Sequence, residues 1–167
     1  MKKDSLTSLR ELEWSLLRRR YMVEIKNPTS LINKDYESIE LVSFSEWIED
    51  SERLSKLGVG LIIEPGDDIY LIQNQLDLIE LIALDFRSFD DGRGYTQAYF
   101  LSKRWQYSGE IVGINAHLDQ LQFMIRSGIT SYQLLESYKD ANEEDYSTGF
   151  SLCYQAAANN NGLQLQY

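Results

Sequence analysis

The sequence predicts an α/β protein: a single domain of about five βα units on a parallel sheet, either open and doubly wound or partial TIM-barrel-like, preceded by an N-terminal amphipathic helix. Three observations predict it. Short, near-continuous apolar runs alternate with stretches of helical spacing, as strands buried on both faces and their crossovers do. Polar turn-forming residues follow the apolar runs, where parallel strands end. A chain of 167 residues, 43% hydrophobic, is long enough for one core and too short for two ordinary domains. The expected division is a basic helix over 1–20, the α/β domain over 21–157 and a loose polar tail over 158–167.

In chain order, Leu6, Leu9, Leu12, Leu16 and Leu17 fall near helical spacing, with Asp4 or Ser5 able to cap. This helix is expected to pack on the chain's own acidic body; a partner or an anionic membrane is the competing docking surface. Tyr21–Ile25 reads as a short strand and 27–37 as irregular. IELVS then forms a strand, and Ser43 or Ser45 caps a helix through Trp47, Ile48, Leu54 and Leu57 that Gly58 ends. VGLIIE is the next strand, followed by a short helical pattern, IYLIQNQL, capped by Asp67 or Asp68. LIELIALDF is a strand, and Ala98, Leu101 and Trp105 mark the helix after it. GEIVGIN, HLDQLQFMIRSG and SYQLLE give strand, helix and strand, and a last helix is expected over Glu143–Ala157.

Charge and composition narrow the function. The net charge of −10 opposes affinity for phosphate backbones, so nucleic acid is not an expected partner. Residues 1–20 hold six bases (Lys2, Lys3, Arg10, Arg18, Arg19, Arg20) against three acids (Asp4, Glu11, Glu13), which leaves −13 on the rest. No apolar run approaches the roughly 20 residues of a membrane span. The start, MKKDSLTSLRELEW, lacks the apolar segment of a secretory signal, so the expected location is cytoplasmic. One cysteine, Cys153, and one histidine, His117, supply neither an internal disulfide nor a zinc or iron–sulfur ligand set. Cys153 lies in an apolar, tyrosine-flanked stretch and is expected to be buried and inert.

The turn Asp91-Gly92-Arg93-Gly94-Tyr95 supports two readings. Gly92 and Gly94 permit φ > 0, which would turn backbone N–H groups into one concavity at a helix start, with Arg93 adding a planar grip on a sulfate, phosphate or carboxylate. Alternatively, Asp90 or Asp91 caps the helix and pairs with Arg93. A second polar cluster, Asp85, Asp91, Asn115 and Asp119, gathers at or beyond the ends of the third and fourth strands, the edge where both candidate folds bind ligands. These residues could bind Mg²⁺ or move protons; for Asn115 and Asp119, capping and first-turn roles are preferred. His117 beside them is expected to be exposed and receives no catalytic role. With no G-x-G-x-x-G turn and no C-x-x-C, any redox chemistry would need a borrowed cofactor such as flavin.

The segment LDFRSFDDGRGYTQAYFLSKRWQYSGEI, followed by LDQLQFMIRSGI, resembles the bacterial family catalogued as domain of unknown function 934. The similarity covers about residues 39–136. That family's pattern is an apolar strand, F-x-x-F-x-DGRGYS-x-A, L-x-x-R-x-G-Y-x-GE, an Asp, R-DQL and R-R-C-G-F. It is met here at Phe86, Phe89, Asp91, Gly92, Arg93, Gly94, Tyr95, Ala98, Leu101, Arg104, Tyr107, Gly109, Glu110, Asp119, Gln120, Leu121, Arg126 and Gly128. Asn115 stands where the family has Asp, Leu118 where it has Arg, Ser127 where it has Cys, and Arg87-Ser88 where Pro-Lys is common, so the resemblance is to a divergent member; the basic N-terminal helix lies outside the pattern. The resemblance implies an oxidoreductase or accessory protein of sulfite reduction, in sulfate assimilation. An accessory or small-anion-binding protein is the preferred expectation, with pathway proteins as partners. The alternatives are a small oxidoreductase with a borrowed cofactor and a non-catalytic interaction module whose acidic surface docks a basic partner.

Overall fold

Residues 39–138 are described by the structure, a computed structural model. The basic helix over 1–20, the strand Tyr21–Ile25, the irregular stretch 27–37, the helix Glu143–Ala157, Cys153 and the tail 158–167 lie outside the described residues.

Strand β1, Leu41–Ser43, runs directly into helix α1, Phe44–Ser55. Ser43 makes the join: its hydroxyl accepts from the Glu46 N–H while the Glu46 carboxylate accepts from the Ser43 N–H, a closed capping box. Past α1 the chain turns back through Gly58 at φ +64. Buried Trp47 fixes α1 in place, its Nε1–H donating to Gln75 Oε1 over 2.8 Å. Strand β2, Gly60–Ile63, follows, and a Cβ at position 60 would come within 2.6 Å of Leu41 Cδ2.

The next helical pattern is not α. Ile69–Leu78 is a ten-residue run of 3-10 turns, capped by Asp68, whose carboxylate accepts from Tyr70 N–H, with Ile69, Ile72 and Leu76 buried. It uses up Leu78, so strand β3 begins later than its apolar run suggests, at Leu81, and ends at Asp85. Helix α2, Arg93–Tyr99, passes into a wider π-helical turn, Phe100–Arg104. Strand β4, Glu110–Ala116, leads through a 3-10 turn, Leu118–Gln120, into α3, Leu121–Ser127, which Gly128 ends at φ 102. Strand β5, Ser131–Leu134, and a 3-10 turn, Glu136–Tyr138, complete the described chain. No helix among the described residues is long and apolar enough to cross a membrane.

All four strand pairings are parallel, in the order β1-β2-β3-β4-β5. Both windings were open from sequence, and this order is the barrel-like one: a doubly wound sheet reverses its order at a switch point, and here each strand lies beside its predecessor. Crossovers of a single hand then put the helices on one face. The side chains sort accordingly. One core joins Leu61, Ile63, Ile82, Leu84 and Ile111 to Trp47, Ile72, Leu101, Leu121 and Met124 of the helical layer. The opposite face carries a separate apolar cluster of strand residues, Leu41, Ile62, Leu81, Ala83, Val112 and Ile114, with Ile39 against it. Coverage of both faces, expected from the continuous apolar runs, is therefore not supplied by the described helices. Each fully buried Leu or Ile contributes about 1.5–3 kcal/mol, so strands that are apolar on both sides are worth forming only if both sides leave water.

Candidate functional site at the carboxyl edge of β3 and β4

Parallel pairing of β3 with β4, from Leu81 with Glu110 to Asp85 with Ile114, brings the loop after Asp85 and the loop after Ala116 to one edge of the sheet. Asp85, 8% exposed, is the centre of that edge. Its Oδ1 accepts from the Arg87 backbone N–H at 3.0 Å and from Asn115 Nδ2 at 2.7 Å, and its Oδ2 lies 3.4 Å from Arg87 Nη2. Asn115 is not a cap: it belongs to β4 with φ 56, beside a register shift between Gly113 and Ala116 in the pairing with β5. An asparagine tolerates this left-handed conformation better than most residues, and the irregularity turns its amide onto Asp85.

In the loop after β3, Asp91 and Arg93 grip each other. Asp91 Oδ1 accepts from the Arg93 backbone N–H and from Nε at 3.0 Å, and Oδ2 accepts from Nη2 at 2.6 Å. These side-chain bonds, then the backbone one, hold the Asp91 carboxyl down at about 2, and the carboxylate in turn raises Arg93. Neither glycine of the turn uses positive φ, contrary to the sequence expectation: Gly92 sits at φ −81, and the described glycines with positive φ are Gly58 and Gly128. Gly94 is required for a different reason, since a Cβ there would stand 2.9 Å from the Phe86 ring.

Asp119 lies in the 3-10 turn after β4 and acts on Tyr95 of α2. Burial first, and the Asp119 charge second, push the Tyr95 hydroxyl up to about 12. Its ring packs at 5.0 Å from Phe86 and 6.4 Å from Phe123. The sequence cluster thus divides into Asp85 with Asn115, Asp91 with Arg93, and Asp119 beside Tyr95.

His117 corrects the expectation of exposure. It is half-buried between Phe89 at 5.4 Å and Tyr138 at 5.9 Å, with Nδ1 3.5 Å from the Tyr138 hydroxyl and Nε2 buried without a hydrogen-bond partner. Two glutamines received no site role from the sequence, Gln97 going unmentioned and Gln120 entering only as a match to the family pattern. Gln97 Nε2 donates to Glu64 O and Asp67 O of the β2 loop, and Gln120 Nε2 donates to Phe89 O of the β3 loop. Both are buried, and each leaves its Oε1 unpartnered. Their signal was a polar residue set among apolar ones: Gln97 is four residues before buried Leu101, and Gln120 stands between Leu118 and Leu121.

Chemically, this edge offers two exposed guanidinium groups, each with a carboxylate on one side, and the buried His117 Nε2; the unpartnered Oε1 atoms of Gln97 and Gln120 are acceptors and call for a donor instead. The two guanidinium groups suit oxyanion binding, and no cluster of three His, Cys, Asp or Glu residues able to hold a metal occurs among the described residues. The family described as "Bacterial protein of unknown function (DUF934)" matches residues 60–163, starting later and ending later than the resemblance read from the motifs. No curated protein and no solved structure matches the chain.

Proposed function

The chain belongs to this bacterial family, and from that premise we propose that it is an accessory protein of sulfite reduction that binds a small oxyanion at the carboxyl edge of β3 and β4. One observation carries the reading: the loop after β3 and the first residue of α2 hold two arginines, Arg87 and Arg93, 61% and 65% exposed, each steered by its own carboxylate. Asp91 takes the Nε and Nη2 side of Arg93 and leaves the Nη1 end of the fork for a ligand. Arg87 is held more loosely by Asp85, at 3.4 Å. A guanidinium oriented in advance loses less freedom on gripping sulfate or sulfite. The carboxylates also cancel much of the positive charge, so the affinity is modest.

Titration calorimetry of the full chain with sulfite and with sulfate tests this. Arg87→Ala and Arg93→Ala should each weaken binding roughly tenfold, the worth of a charge-assisted hydrogen bond, with the melting temperature nearly unchanged. A lower melting temperature beside unchanged anion affinity would show that the arginines only shape the loop. Flavin absorbance carried through purification would instead favour the oxidoreductase reading.

The interaction-module reading has its own support. Phe89 and Phe123, 59% and 55% exposed, flank the same edge, and exposed aromatics beside arginine are the composition of binding hot spots. Phe89→Ala with Phe123→Ala should then abolish partner binding while sparing sulfite binding.

A further inference from the structure

The loop after β3 is tied to the rest of the chain from outside at Phe89. Phe86 N–H, bonded to Ile114 O at 2.9 Å, is the fixed start of this loop, and α2 is its fixed end. Between them residues 87–90 and Gly92 are exposed, so little apolar burial holds them. Among the described residues, the hydrogen bond that joins 87–92 to a segment other than β3 and α2 runs from Gln120 Nε2 to Phe89 O, at 3.2 Å. The Phe89 ring adds an edge-on contact with His117 at 5.4 Å but is itself 59% exposed. We propose that Gln120 is a positioning residue of the oxyanion site: through Phe89 O it fixes the turn that carries Asp91, and Asp91 aims the Arg93 fork. This role rests on the oxyanion reading; the contacts that carry it do not.

Each contact in the relay is direct. Asp91 N–H donates to Ser88 O at 3.2 Å, which closes the turn around Phe89 and Asp90. Asp91 then takes Arg93 by its backbone N–H, its Nε and its Nη2. The Arg93 side chain is 65% exposed, so its direction comes from Asp91. That of Asp91 comes from the turn, and the turn is held by Gln120.

Gln120 is itself firmly seated. It ends the 3-10 turn that leads into α3, its N–H donates to His117 O at 3.1 Å, and it stands between Leu118 and Leu121, 5% and 0% exposed. A methionine would fill that place without stranding a buried acceptor, as Gln120 Oε1 is stranded. The amide weakens the core, and what it supplies is the donor to Phe89 O. Gln97 is its counterpart one unit earlier. Buried in α2, it donates to Glu64 O at 3.1 Å and to Asp67 O at 3.4 Å, in a loop after β2, Glu64-Pro65-Gly66-Asp67-Asp68, that carries no basic residue.

The test uses the full chain and reads the Asp91 midpoint by carboxyl NMR together with sulfite affinity by calorimetry. Gln120→Met keeps the volume and removes the donor. It should move the Asp91 midpoint up from about 2 toward the ordinary carboxylate range, and it should weaken sulfite binding by less than Arg93→Ala does. Added to Arg93→Ala it should cause no further loss of affinity, since both act on one guanidinium. Gln97→Met removes an equally buried amide and should leave both readings where they were. An unmoved Asp91 midpoint overturns the proposal, as does a shift of equal size in Gln97→Met, which would mark general loosening. A further loss of affinity in the Arg93→Ala background overturns it too. If the unmodified chain binds no sulfite while the midpoint moves as expected, the oxyanion reading falls and Gln120 stands as the residue that aims Arg93. Should Gln120→Met fail to fold, Gln120→Asn carries the same test, since its amide falls a methylene short of Phe89 O.

Discussion

Asn115 reaches from β4 to the end of β3, its Nδ2 donating to Asp85 Oδ1 over 2.7 Å while its own backbone sits at φ 56. The conformation and the bond depend on each other: an unfavourable backbone geometry persists because a buried carboxylate needs the donor it provides.

Asn115→Ala should therefore destabilise the fold by about 2–4 kcal/mol, combining a lost bond to a buried carboxylate with an alanine in the left-handed region. Asn115→Gly should cost less, since it removes the bond and relieves the backbone. Asn115→Asp sets a second carboxylate against Asp85, so one of the two binds a proton more readily folded than unfolded. A raised folded-state value means stability is lost as pH rises, and urea unfolding at pH 5 and pH 8 should show the larger deficit at pH 8.

Two glycine substitutions should separate steric from backbone cost. Gly94→Ala meets the buried Phe86 ring at 2.9 Å and should cost about 1–3 kcal/mol, partly recovered by adding Phe86→Leu. Gly58→Ala meets nothing within 4 Å but sits at φ +64, so its cost should be about 1 kcal/mol and no neighbouring substitution should relieve it.

Carboxyl NMR should place the Asp91 midpoint at about 2, and Arg93→Ala should return it toward the ordinary range. The depressed value contributes stability that is present above the unfolded carboxyl range and fades as pH falls toward 2. Because the pair is exposed, added salt should shrink the effect. A midpoint that Arg93→Ala does not move would show that the fork is not formed in solution.

Ultraviolet titration should find one tyrosine ionising at about 12, identified as Tyr95 by its loss in Tyr95→Phe. Asp119→Asn should lower that value modestly, because burial is the larger cause. The sign is opposite to that of Asp91: the stabilisation is complete below the unfolded tyrosine range near 10 and is lost as pH rises through 12.

Strand content was legible because the β2, β3 and β4 segments are apolar on both sides, a pattern that solvent-exposed strands do not show. Ser43, Asp68 and Gly58 marked their helix boundaries through local chemistry alone. Strand order was not legible, since the same apolar runs suit either winding and only pairing distinguishes them. The 3-10 run at Ile69–Leu78 was hidden because Ile69, Ile72 and Leu76 satisfy both periods over so short a span. At the candidate site the residues near strand ends could be named, but not how they divide: Asp119 sits in the turn leading into α3, and that helix's packing against α2 sets it beside Tyr95. The burial of His117 depends on Phe89 and Tyr138, 28 residues before it and 21 after, so no local pattern announced it.

The sequential order of the strands also bears on how the chain reaches this structure. Paired residues Leu41 and Gly60, Leu61 and Ile82, Leu81 and Glu110, and Val112 and Ser131 are 19, 21, 29 and 19 positions apart. Each loop closed is short, and the entropy of closing one grows only with the logarithm of its length. For a parallel sheet this is a low contact order, and it favours fast folding. A chain leaving the ribosome can add each strand to one already laid down, without waiting for a distant segment.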